Sequence, residues 1–251
     1  MTLSGYSKTR ISELLRGNGL YPGWGITCSV VKAMDQDIPL TPLLRLWAAA
    51  AAEACKDRAW ISSRISDAPP PDSEVRPVAH RGLTEAMEDP YFRYARAFLQ
   101  SDRRSRQAVA ETFDILWLTW HEATGSAGTP RYAWQVLRSR VMARVPRRED
   151  GRPDLRAAAF STVAQEKIPG FADRIAHIDV YARFFDLIAG LPEQNLDVAV
   201  LRYLCGIEPK VLPGILGLSP ALTRTLDHHA RGALDRLSSS LDPQEGTPRH
   251  E

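Results

Sequence analysis

Apolar residues recur along this chain at steps of three and four, and the strict alternation of a half-buried strand is almost absent, so the pattern predicts an all-α fold of several small helical units. Proline and glycine supply the punctuation. Thr41 followed by Pro42 reads as an N-cap with proline at N1, opening a helix through Leu43, Trp47, Ala51 and Ala54 toward Ile65. The run Ala68-Pro69-Pro70-Pro71-Asp72-Ser73 lacks backbone donors, is polar, and reads as a linker. Two helices are expected around Ala108 to Glu122 and Pro130 to Val145, joined by the turn Thr124-Gly125-Ser126-Ala127-Gly128. In the first, Val109, Phe113, Leu116 and Trp120 form one stripe while Ile115 and Leu118 lie off it, so burial on more than one side is expected. In the second, Trp134, Leu137, Val141 and Val145 share a face, and Arg140 and Arg144 point the other way.

A helical connector from Leu155 to about Ala189, broken near Pro169-Gly170, leads to a last unit from Leu191 to Leu237 that reads as helix, turn, helix, turn, helix. Its final helix opens at Ser219-Pro220 and is expected to turn Leu222, Leu226, Ala230 and Leu237 inward. Pro213-Gly214 makes the helix before it short or kinked. The organisation predicted is an N-terminal unit (1–66), a linker (67–90), a middle unit (91–148), a connector (149–190), a C-terminal unit (191–237) and a disordered tail (238–251).

Composition narrows the function classes. The formal net charge of the 251 residues is only +2, so any surface for nucleic acid must be local. The middle unit supplies one: from Tyr91 to Arg148 eleven arginines face Asp102, Glu111, Asp114 and Glu122, an excess of seven positive charges. Such a concentration attracts a phosphate backbone, with a solvated basic face as the plain alternative. No run of eighteen apolar residues and no signal peptide pattern is present, so the expectation is a cytoplasmic protein without a membrane partner. Cys28, Cys55 and Cys205 are odd in number and widely spaced, and read as ordinary buried thiols. His228-His229 point about 100° apart on a helix and do not suit one metal ion. With no nucleophile, base and orienting acid in view and no phosphate loop, neither an enzyme, a cofactor nor a small-molecule substrate is expected. The 27 Arg beside 5 Lys, with frequent Ala and Gly, suggest a genome rich in G and C, as in actinobacteria.

Near the N-terminus, Ser7 can cap a helix whose Ile11, Leu14 and Leu15 face inward while Ser7, Lys8, Thr9, Arg10 and Ser12 are free to reach a major groove, and Gly17 stops it. A capped surface helix is the alternative. The segment resembles the second helix of a lambda-repressor-like helix-turn-helix of the actinobacterial type, continued by Pro22-Gly23-Trp24 to Met34 and by Leu43 to Trp47. That resemblance implies an earlier helix for which Met1 leaves no room, so a partial domain or an upstream start is expected.

The pattern Ala110-Glu111-Thr112-Phe113-Asp114-Ile115-Leu116-Trp117, followed by Pro130-Arg131-Tyr132-Ala133-Trp134-Gln135-Val136-Leu137-Arg138, resembles region two of sigma-70-type factors, above all the extracytoplasmic-function group. The resemblance implies a first helix that binds the RNA polymerase core, with Glu111, Asp114 and Trp117 as candidate partner-binding residues. It implies a second helix that contacts and melts promoter DNA through Trp134, Arg138, Arg140 and Arg144, although Trp134 has an equal claim to be core. Gln107 and Ala110 stand where the family carries Asp and Gln at the polymerase surface.

Leu191-Pro192-Glu193, the helix around Leu201-Arg202-Tyr203-Leu204 and the turn Leu216-Gly217-Leu218-Ser219 resemble sigma region four over about residues 184–237. The resemblance puts the last helix in a major groove, with Ser219, Thr223, Arg224 and Thr225 as DNA contacts. Leu226 takes a place where the family keeps Arg, and the unit's five basic residues are balanced by five acidic ones. The expectation is a DNA-binding regulator of sigma-factor type acting in transcription initiation, with DNA and RNA polymerase core as partners. The alternative is a sigma-derived protein-interaction module that has lost promoter recognition.

Overall fold

A computed structural model of the chain describes Ser7, Thr9, Ile11, Ser12 and Arg16, then residues 21–66, 75–155 and 171–241. Among these residues the regular structure is all-α: eleven helices and one isolated bridge between Arg147 and Pro153. They are α1 (Trp24–Met34), α2 (Leu40–Glu53), α3 (Arg58–Ser66), α4 (Val78–Leu99), α5 (Asp102–Leu118), α6 (Trp120–Gly125), α7 (Thr129–Met142), α8 (Phe171–Ala189), α9 (Glu193–Ala199), α10 (Leu212–Leu216) and α11 (Pro220–Leu241). None is long and apolar enough to cross a membrane.

The described residues divide into two compact units, one within 1–85 and 110–124, the other within 86–109 and 125–251. This division runs across the six segments expected from sequence. It falls inside α4 and α5, because residues 78–90 are helix rather than linker. Pro90 lies inside that helix. A proline in mid-helix costs about 3 kcal/mol, yet His80, Leu83, Met87, Tyr91, Tyr94 and Phe98 keep one inward stripe at three- and four-residue steps on either side of it.

The core of unit 1 contains Trp24, Cys28, Leu40 and Trp47, with Tyr21 and Trp60 packed against them. The rings interlock: Trp47 lies 5.9 Å from Trp24 and stacks on Trp60 at 6.0 Å. The polar ends are satisfied as well, the Tyr21 hydroxyl donating to the Trp47 carbonyl and the Trp47 indole N–H to that of Pro22. α2 begins at Leu40, one residue before Thr41, with Pro39 in the cap position. It stops at Glu53 rather than running to Ile65, because Cys55 adopts φ +58° and the Lys56 N–H returns to the Ala51 carbonyl, closing the helix end. Asp57 then caps α3 through the Trp60 N–H. Cys55 is therefore exposed, unlike the buried Cys28, and corrects the expectation of three buried thiols.

In unit 2 the expected inner face of α7 is observed: Trp134, Leu137, Val141 and Val145 are all buried. α9 widens at its end into a π-type turn over Val200–Leu204, closed by the Cys205 N–H on the Val200 carbonyl. α10 is short, as Pro213-Gly214 predicts; Pro213 lies in its first turn, where its missing N–H costs nothing. Gly217 ends it at φ +60°, and an added Cβ there would lie 2.2 Å from the Arg131 backbone nitrogen, so both the left-handed turn and the close approach of α7 need glycine.

Candidate nucleic-acid and partner interface

α9, α10 and the start of α11 follow one another as three helices joined by turns, in the order expected at the C-terminus. The Ser219 hydroxyl accepts the Leu222 N–H and so caps α11. Beyond this cap, Arg224 and Thr225 are exposed, as are Ser219 and Leu222. Thr223 is not: it is buried, and its hydroxyl donates to the Ser219 carbonyl at 3.0 Å. The inward track of α11 is Thr223, Leu226, Ala230 and Ala233, alternating steps of three and four, and it leaves Leu222 40% exposed. Leu222 and Thr223 have thus exchanged the roles the sequence pattern assigned them. Leu237 lies where side chains are outside the described residues, and so does the tail beyond Leu241.

The acids that balance this module on paper are committed to specific partners. Asp227 is met by the Tyr203 hydroxyl at 3.3 Å and by Arg202 at 3.9 Å. Asp197 is buried, 4% exposed at its side chain, and accepts from the Tyr94 hydroxyl (2.7 Å), the Trp134 indole (3.1 Å) and Arg138 Nε (3.0 Å). Arg138 also reaches Glu193 at 3.3 Å. Burial pushes the Asp197 carboxyl above its ordinary value, with Arg138 and the Tyr94 and Trp134 donors pulling it back. A cleft of about 110 Å³ opens beside this cluster, lined by Arg131, Gln135, Glu193 and Leu218 among others.

This cluster changes the reading of α7. Trp134 is 5% exposed, its N–H is used, and its ring packs edge-on to Tyr94 at 4.6 Å, so it serves the core and not an unpaired base. Arg138 is engaged by two acids and is likewise unavailable in this arrangement. Arg140 and Arg144 remain half-buried near the end of α7. There the Arg144 guanidinium donates to the Arg140 carbonyl and Arg104 to the Arg144 carbonyl, cations set where a helix C-terminus favours them. Arg103, Arg104 and Arg106 are exposed on the first turns of α5, where positive charge opposes the helix dipole. The contact between Arg104 and Arg144 joins these two arginine groups into one basic surface, whose α5 half the sequence reading counted in the basic excess without naming it as a contact.

In unit 1 the candidate partner-binding residues are covered. Glu111, Asp114 and Trp117 are 4%, 6% and 8% exposed. Arg45 of α2 grips the Asp114 carboxylate with Nε, 2.9 Å from Oδ2, and with Nη2. Its guanidinium also lies 5.8 Å from the Trp117 ring centre, and that of Arg76 lies 4.9 Å from the same ring. Next to them His80 is fully buried, its Nε2 2.9 Å from the Phe113 carbonyl and its ring edge-on to Trp120 at 5.1 Å. Burial lowers its pKa below the ordinary value, Arg76 adding to this, while the Phe113 carbonyl and Asp114 act against it. Nothing in the sequence marked His80, Arg45 or Arg76 as part of this site.

At the N-terminus, Ser7 and Thr9 are exposed and Ser12 is half-buried, with the Ile11 N–H on the Ser7 carbonyl in helical spacing. Lys8 and Arg10 lie outside the described residues. Among the described residues no group of His, Cys, Asp and Glu is arranged to hold a metal ion. No family model matches the chain, and no match was found among curated proteins.

Proposed function

We propose that this chain is a DNA-binding transcription regulator of sigma-factor type, acting in the cytoplasm at promoter DNA and on RNA polymerase, with α11 as its reading helix. The observation that carries the proposal is the face that α11 presents after its cap: Ser219, Arg224 and Thr225 exposed in the first two turns, while Thr223 and Leu226 anchor the opposite side. A helix held by its back with polar and cationic side chains at its N-terminal end suits a major groove. The acids that make the segment neutral overall do not oppose this, since Glu193 and Asp197 are bound to Arg138 and Asp227 faces Arg202 and Tyr203. The arginines of α5 and α7 supply phosphate contacts, and Ser7, Thr9 and Ser12 a further DNA contact.

Salt-dependent binding to promoter DNA, paired with co-purification with core RNA polymerase, tests the proposal. Arg224→Ala is expected to weaken binding by about 1–3 kcal/mol at one base position and to relax preference there. Arg140→Ala with Arg144→Ala should make the salt slope shallower by roughly two counterion equivalents at every sequence. The second reading, an interaction module that has lost promoter recognition, is favoured by the commitment of Trp134 and Arg138 to Asp197. It is the one to keep if Arg224→Ala leaves DNA binding unchanged.

A further inference from the structure

Asp114 and Trp117 stand one turn apart on α5, and residues at that spacing share a helix face. A carboxylate beside an indole ring makes a two-part site for a guanidinium: the acid takes the planar fork in a bidentate pair and the ring takes the cation on its face. Arg45 uses both parts at once, and Arg76 lies over the same ring. The two sides of the pair are unequally placed. The Asp114 side chain is 9% exposed, whereas that of Arg45 is 44% exposed, so the acid is fixed in the fold and the guanidinium arrives from the rim. A pair whose cation sits at the rim is held less firmly than one sealed from water on both sides, which leaves room for a second arginine with more contact area to displace the first.

We infer that the Asp114–Trp117 face is a receiving site for an arginine-bearing segment of a protein partner, and that Arg45 and Arg76 of the same chain occupy it while that partner is absent. The N-terminal helices then act as a cover in cis, and engagement of the partner requires the α2 arginine and the segment before α4 to give way. The inference rests on the sigma-type reading for its partner, RNA polymerase, but not for its geometry.

The test measures binding of the full-length chain to core RNA polymerase, with promoter DNA binding followed in parallel. Arg45→Ala with Arg76→Ala should bind the polymerase about tenfold or more tightly than the wild type, and adding Asp114→Asn should remove that gain. Arg45→Lys alone, which keeps the charge but loses the planar fork, should give a smaller gain and serves if the double variant does not fold. Equal or weaker binding by a folded variant overturns the inference, as does a gain that survives Asp114→Asn. If no variant binds the polymerase while DNA binding persists and responds to Arg224→Ala, the cover is refuted and the wider function stands. Loss of DNA recognition as well would refute the function itself.

Discussion

The two units each hold a carboxylate against an arginine and a tryptophan, and they hold it in different ways. In unit 2, Asp197 is sealed in: three donors converge on it, and the Arg138 side chain is itself only 21% exposed. In unit 1, Asp114 faces an arginine that is half in solvent and lies over the ring it shares with Arg76. The same three residue types thus form an internal fastening in one unit and an exchangeable contact in the other. Burial of the cation is what separates them, because less water can replace a lost acid around Arg138 than around the half-solvated Arg45.

The largest effect that would break this comparison comes from Asp197. Replacing it with Ala leaves the buried Trp134 N–H and Tyr94 hydroxyl without their acceptor and Arg138 with only the exposed Glu193, and removing one partner of a buried pair costs about 3–5 kcal/mol. Urea denaturation should show that loss in the transition of unit 2. A cost no larger than that of Arg45→Met would place Asp197 in the same class as Asp114. Gly217→Ala comes next, because its methyl group would enter the Arg131 backbone at a position that already needs a left-handed residue. Overpacking costs about 1–3 kcal/mol, and the loss should appear in the same transition, confirming that the turn before α11 is fixed against α7. Arg45→Met should cost unit 1 about 1–3 kcal/mol, less than Asp197→Ala costs unit 2, because water reaches the Asp114 carboxylate once the rim arginine is gone. A loss as large as that of Asp197→Ala would mean that the Asp114 pair is a fastening too, and would remove the basis for exchange.

Helix periodicity carried the fold class and the inner face of α7, since apolar spacing alone decides which side of a helix avoids water. It also carried the short α10, where Pro213 and Gly217 bound the possible length. The stripe through Tyr91 and Phe98 is equally periodic and continues back to His80, but the expected linker, set by the proline run at 69–71, extends over the first half of α4. The polar contacts were hidden for a different reason. Asp197 meets Trp134 from 63 residues away and Tyr94 from 103, and Arg45 meets Asp114 from 69. Spacing along one helix tells which residues face inward and nothing about which distant element supplies the opposite charge. Trp134 and Arg138 therefore read as nucleic-acid contacts until Asp197 is seen beneath them. The exchange of Leu222 and Thr223 has a local cause: a track of steps of four drifts around a 3.6-residue helix, and Thr223 keeps its hydroxyl satisfied inside by donating to Ser219.

The smallest effect separates the units by the direction in which they respond to acid. His80 is buried neutral, with its pKa below the ordinary 6.5, and the charged groups nearest to it are Arg76 and Asp114. A group whose folded pKa is depressed stabilises the fold above its unfolded pKa, and that stability is lost as pH falls from about the unfolded value through the folded one. Unit 1 should therefore loosen as pH drops below 6.5. Asp197 has the opposite sign: its folded pKa is raised above 3.8, so its contribution is complete below that value and declines as pH rises through the folded pKa. Lowering the pH from 7.5 toward 5 thus removes stability from unit 1 through His80 and none from unit 2 through Asp197. Amide hydrogen exchange, corrected for the intrinsic pH dependence of the exchange rate, reads both units in one sample. Protection should fall first around His80 and Phe113, with α7 and α9 unchanged, and His80→Gln should flatten the pH response of unit 1. Parallel loss of protection in both units would show that the two respond to acid as one cooperative body, and that burial of His80 does not set unit 1 apart.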